Sequence, residues 1–151
     1  MSKTKLLTGL SVLAAAAVVA SGVAVAQDAI AKRKEIMKAV GGAAKSSGQM
    51  VKGEAPFDAA KAKANMDKIA TGWTDFAKLF PKGSETGGKT TAAPKIWTNF
   101  ADFDAKGKKM ASDAAIASAA AAKGADAFKT AFGEVTKSCK GCHEEYRVKK
   151  K

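Results

Sequence analysis

The chain has 151 residues, with 26 lysines and arginines against 14 aspartates and glutamates, for a formal charge of +12. Its two cysteines and one histidine are too few for a four-ligand zinc site or a cysteine-held iron–sulfur cluster. So basic a surface suits an acidic redox partner or an anionic membrane. Nucleic acid is the other usual partner of a basic chain, but an exported protein, as the leader described next implies, rarely meets it. Lysines scattered along helical faces read first as a solvated surface with modest steering.

Lys3 and Lys5 form a positive n-region, Leu6 to Ala20 an apolar core, and Ala24-Val25-Ala26 a small-residue cleavage site. The apolar stretch is short and runs into Ser21 and Gly22, which favours a cleaved signal peptide over a retained transmembrane anchor. The expected division is therefore a signal peptide at 1–26 and one mature domain at 27–151. That predicts a periplasmic protein with no stable membrane insertion after cleavage. Removing 26 of the 151 residues leaves 125, enough for one core, and the loss of two lysines lowers the charge from +12 to +10.

The mature chain reads as four amphipathic helices with no alternating strand pattern. The first is predicted from about Asp28 to Lys52, with an inward stripe of Ile30, Arg33, Met37, Val40 and Ala44. Gly53 to Pro56 break it, and Asp58 is placed to N-cap the second helix. That second helix has a seam of Ala62, Met66, Ile69, Trp73, Phe76 and Phe80, stepping by four and three until Pro81 stops it. Residues 82–93, rich in glycine and threonine, form the longest loop.

Pro94 suits the first turn of a third helix carrying Ile96, Phe100, Phe103, Gly107, Met110, Ala114 and Ala117. Its alanine run at 119–122 has little side-chain volume and requires a close or bulky partner. After Gly124, the fourth helix is predicted from about Asp126 to Arg147, with Phe128, Phe132, Val135, Cys139, Cys142 and Tyr146 on one stripe. The predicted fold is an all-α, antiparallel, up-down-up-down four-helix bundle.

The run Cys139-Lys140-Gly141-Cys142-His143 contains every cysteine and histidine of the chain. The C-x-x-C-H spacing is that of covalent c-type haem attachment: both thiols capture vinyl groups and the adjacent histidine binds iron. A thioredoxin-like dithiol would sit beside a βαβ pattern, which is lacking here, and a disulfide would close too short a loop to stabilise much. At helical spacing, Cys139, Cys142 and His143 share one face, so the bundle is expected to hold one covalent haem c between its helices.

With these pieces the chain resembles the class II c-type cytochromes, the cytochrome c-prime family. The matching segments are Arg33-Lys34-Glu35-Ile36-Met37, Lys52 through Asp58, Leu79-Phe80-Pro81, Ala93 through Trp97, and Cys139 through His143 with Tyr146-Arg147. The resemblance covers essentially the whole mature chain, and the C-terminal position of the haem motif distinguishes it from class I cytochromes.

The resemblance implies a left-twisted bundle, often a homodimer. It also implies that Arg33 lies near a haem propionate and that Arg147 is the basic residue beside the proximal His143. The residue facing iron opposite His143 divides the family, and here it is Met37. In the low-spin branch that residue is methionine, iron is six-coordinate and the protein shuttles electrons. The alternative is a five-coordinate, high-spin iron that binds NO or CO, with Met37 as a non-ligating cap. Neither reading makes the protein an enzyme. Lys137, Lys140 and Lys149 to Lys151 cluster by sequence around the haem helix and are expected to present a positive surface to an acidic redox partner.

Overall fold

The computed structural model describes residues 13–148. The elements in chain order are α1 (Leu13–Val51), α2 (Ala59–Phe76), α3 (Lys95–Thr98), α4 (Phe100–Ala121) and α5 (Ala125–Tyr146). The four long helices form the expected bundle; the described residues contain no strand, and an isolated antiparallel bridge pairs Ala92 with Arg147.

The α2 seam is realised as read: Ala62, Met66, Ile69, Trp73 and Phe76 are all buried. Asp58 caps the helix, its side chain accepting from the Lys61 backbone N–H at 3.0 Å. The small residues of α4 resolve in the same way. Ala114, Ala117, Ser118 and Ala121 are buried, and α4 packs along both α2 and α5. Their lack of volume lets the neighbouring helices approach closely, and polar pins fix the approach. The Ser118 hydroxyl donates to Asp67 of α2 at 2.5 Å, and the Ser138 hydroxyl of α5 donates to Asp113 of α4 at 2.5 Å. By contrast α1, which packs well on α2, meets α5 sparsely. That gap is where the site lies.

Three boundaries differ from the sequence reading, each for a local reason. Helix α1 is already formed at Leu13, the first described residue, and not only from near Asp28, so it runs through the expected cleavage site. Its N-terminal half is mostly alanine and valine without proline, and nothing there interrupts helical hydrogen bonding. Lys3, Lys5 and the start of the apolar core lie outside the described residues, as do Lys149, Lys150 and Lys151.

The predicted third helix is broken at Asn99, whose backbone (φ −139°, ψ 51°) leaves the helical region between α3 and α4. The break re-phases the stripe. Ile96 and Phe103 are buried, whereas Phe100, expected inside, is 41 % exposed. Finally, α2 ends at Phe76, and Phe80 lies beyond it in the following turn. Its ring packs edge-on to Phe76 and to Phe103, at centroid distances of 5.2 and 4.9 Å.

Candidate functional site

A cavity of about 550 Å³ opens between α1 and α5. That is within the range of cofactor sites, about 300–1,000 Å³. Helix α5 contributes Cys139, Cys142, His143 and Tyr146, and α1 contributes Arg33 and Met37 from the other side. Trp73, Phe76, Phe80 and Phe103 form an aromatic floor, tied together by ring contacts such as Trp73–Phe103 at 5.1 Å and Phe103–Tyr146 at 5.2 Å. Every site residue expected from the sequence, including Arg147, borders this one space.

The chemistry of the thiols argues against redox exchange. Burial raises the Cys139 thiol above its ordinary value, and burial together with the neighbouring Cys139 pushes Cys142 up to about 11. A dithiol exchange centre needs the opposite, a thiol with its pKa lowered by positive neighbours or a helix N-terminus. The Phe128, Phe132 and Val135 side chains that precede the cysteines on α5 are buried in the core. The cysteines themselves are only half-buried, because their face meets the cavity and not another helix. His143 is shifted down, first by burial and then by the Arg147 charge, which favours the neutral imidazole that ligates metal.

Arg33 shows what the cavity is shaped to hold. It is 4 % exposed, unusual for an arginine. Its guanidinium lies over the rings of Phe80 at 4.7 Å and Trp97 at 5.5 Å. Nη2 donates to the Ser84 carbonyl at 2.7 Å, while Nε and Nη1 are buried without a partner. Burial lowers its pKa, opposed by the charge of Glu85. A buried cation with two idle donors fits an anionic acceptor within the cavity, as a haem carboxylate would be. Two thiols, an imidazole, an aromatic floor and an unsatisfied guanidinium together fit a c-type haem.

The structure also brings in residues that the sequence reading did not connect with the site. The indole N–H of Trp97 donates to the Phe80 carbonyl at 3.1 Å, which secures the stack on Arg33. Loop residues 83–93 fold over α1, and Gly88 lies so close that a Cβ there would sit 2.8 Å from the Ile30 side chain. This places Lys89, Thr90 and Thr91 on the cavity wall. The glycine content marked a loop, but no spacing signal said which helix it would cover.

The C-terminal end of α5 is strapped in place. Ala93 N–H donates to the Tyr146 carbonyl and Val148 N–H to the Thr91 carbonyl, both at 2.9 Å. The Tyr146 hydroxyl donates to Asp102 at 2.5 Å and accepts from Asn99 at 3.3 Å. Of the lysines expected to cluster around the haem helix, Lys137 pairs with Glu134 at 2.7 Å and Lys140 with Glu144 at 3.7 Å, both on the exposed face of α5, and Lys149 to Lys151 lie outside the described residues.

Comparison with known proteins agrees with this geometry. The profile of the family described as Cytochrome C' matches residues 28–147. Cytochrome c' of Rhodopseudomonas palustris is 42% identical over 93% of this chain and 97% of its own sequence. A solved structure of a cytochrome c' from Rhodopseudomonas palustris superposes with a TM-score of 0.78 at 41% identity, covering 82% of this chain and 98% of that one. A cytochrome c-556 of Agrobacterium tumefaciens is 42% identical over 80% of this chain and 98% of its own. A variant of cytochrome c prime from Alcaligenes xylosoxidans, solved as its nitric oxide complex, superposes with a TM-score of 0.73 at 35% identity, over 82% and 97% of the two chains.

Proposed function

Because the chain belongs to the cytochrome c' family and its cofactor is a covalently attached c-type haem, we propose that it is a periplasmic carrier of single electrons whose haem iron is held by His143 and Met37. When bound, the haem supplies a one-electron iron couple. Cys139 and Cys142 would anchor it to α5, and the neutral His143 imidazole would supply a nitrogen ligand to its iron. Met37 on α1 would offer its thioether as the second protein ligand, and a methionine–histidine pair would raise the potential into an electron-transfer range. Arg33 would pair with a haem carboxylate in a low-dielectric setting, and the aromatic floor would exclude water from the site. Residues 1–26 are removed on export. Among the described residues no helix is long and apolar enough to cross a membrane.

The observation that carries this reading is the shared cavity: Met37 and His143 line the same space from facing helices. The chain has one histidine, so no second imidazole stands opposite His143 as ligand or as general acid and base.

A second reading has specific support. The R. palustris relative is named cytochrome c', and the Alcaligenes structure is a nitric oxide complex. These weigh toward a five-coordinate, high-spin iron that binds NO or CO, with Met37 only capping the distal face. The name cytochrome c-556 occurs at the same 42% identity, so relatives of both names flank this chain. Absorption spectra of the purified protein in both oxidation states, with and without CO, separate the two. A low-spin spectrum that CO leaves unchanged supports Met37 ligation, and high-spin iron with immediate CO binding overturns it.

A further inference from the structure

The charged side chains that line the cavity are all basic, while the nearest carboxylates, Glu85, Asp102, Asp113 and Glu145, stand behind its walls. Its walls include Arg33, Lys34, Lys38, Lys89 and Arg147, and no aspartate or glutamate. None of the five takes part in an ion pair among the described residues, although eleven such pairs are formed elsewhere on the molecule. Lys34 reaches only the Gly88 carbonyl, at 3.5 Å. Lys34, Lys38, Lys89 and Arg147 are exposed, whereas Arg33 is buried behind them.

Two elements far apart in sequence build this rim. Lys34 and Lys38 are one turn apart on α1 and face outward together. Lys89 arrives from the loop that folds over α1, with a left-handed backbone (φ 54°) following Gly87 and Gly88. Arg147 closes the rim at the end of α5. Unpaired cations around a low-dielectric opening focus a positive potential at its mouth and steer anions toward it.

We infer that the rim formed by Lys34, Lys38, Lys89 and Arg147 is the docking surface for an acidic patch on the protein's redox partner, guiding it to the open edge of the cofactor cavity. This rests on the electron-carrier reading and moves the docking face from the paired lysines of α5 to the unpaired ones around the cavity. An anionic lipid surface would meet the same charges, but a recessed, ringed opening favours a protruding acidic partner over a flat sheet.

The test uses the haem-loaded protein and two inorganic oxidants of opposite charge, hexacyanoferrate(III) and tris(phenanthroline)cobalt(III), in stopped-flow at several salt concentrations. The rim variant K34E/K38E/K89N keeps a residue that tolerates a left-handed backbone at 89. The control K68E/K123E/K129Q changes the net charge equally at exposed positions away from the cavity.

The expected result is an about tenfold fall in the hexacyanoferrate rate for the rim variant, a rise in the cobalt-complex rate, and a weaker salt dependence than for the parent. The control should change either rate far less. Equal effects of rim and control substitutions would overturn the inference, since net charge alone would then act. Unchanged rates, with rim-dependent sedimentation onto phosphatidylglycerol vesicles, would overturn it in favour of a membrane. If the parent exchanges electrons with neither complex, the carrier reading itself fails.

Discussion

Arg33 and Ser84 are joined by one hydrogen bond, from guanidinium Nη2 to the backbone carbonyl at 2.7 Å, across a sequence gap of 51 residues. It ties α1 to the loop that follows α2. The bond orients the guanidinium but satisfies only one of its nitrogens, since Nε and Nη1 are buried and unpartnered. Leaving a charged donor buried and unsatisfied costs about 1–3 kcal/mol or more. The arrangement is therefore favourable only when an anion completes it.

Replacing Arg33 by Leu should expose this dependence. In the haem-loaded protein the change removes both the Ser84 tie and the partner of the carboxylate, so stability to urea should fall by about 1.5–3 kcal/mol. Loss of a nearby positive charge also favours the oxidised iron, so the midpoint potential should move down. Urea titration and a spectroelectrochemical titration read the two effects. An unchanged potential would mean that Arg33 only fills space.

Met37→Leu is nearly isosteric and keeps the cavity lined with apolar surface. If the thioether ligates, the variant should change from low-spin to high-spin and gain immediate CO binding, with stability altered by less than about 1.5 kcal/mol. Identical spectra before and after the change would clear Met37 of a ligand role and leave the gas-binding reading in place.

Gly107 on α4 lies directly beneath Trp73 of α2, where a Cβ would fall 2.0 Å from the indole. The indole is not free to yield, because its N–H donates to Asp104 at 3.2 Å and its ring packs on Phe76 and Phe103. Gly107→Ala should therefore destabilise the fold by about 1–3 kcal/mol through overpacking, despite alanine's better helix propensity. It should also disturb the haem spectrum, since Trp73 forms part of the cavity floor. The measurements are urea unfolding and the Soret band. A stabilised variant would contradict the contact.

Tyr146 is the only tyrosine in the chain, so a near-ultraviolet difference titration reads it alone. Burial, and then its hydrogen bond to the Asp102 carboxylate, raise its pKa well above the ordinary value. The unfolded phenol titrates near pH ~10. The folded protein thus retains a proton that the unfolded chain loses above that pH. The stabilisation is complete below pH ~10 and declines as pH rises further. No phenolate signal is expected at pH ~10–11 while the protein stays folded, and it should appear together with alkaline unfolding. Ionisation of Tyr146 near pH ~10 in the native state would show that the Asp102 contact does not persist in solution.

Much of the bundle is legible in the sequence. The four–three rhythm of Ala62, Met66, Ile69, Trp73 and Phe76 becomes a fully buried seam, and Asp58 caps its helix. Such patterns survive because helical periodicity and capping are local, fixed by residues within about a turn of one another. The register of Phe100 and the end of α2 before Phe80 were not legible. The kink at Asn99 accompanies a hydrogen bond to Tyr146, 47 residues away, and no local pattern encodes it.

The attachment motif is likewise local, so Cys139, Cys142 and His143 alone determined the haem and, by their C-terminal place on a fourth helix, the class of fold. Only the tertiary structure decided what surrounds it. The packing of α1 sparsely against α5 opens the cavity, the 83–93 loop carries Lys89 and the Ser84 carbonyl to α1, and Arg33 is left with two buried, waiting donors. These are relations among segments distant in sequence, set by which surfaces pack and which remain unsatisfied. A one-dimensional pattern records neither.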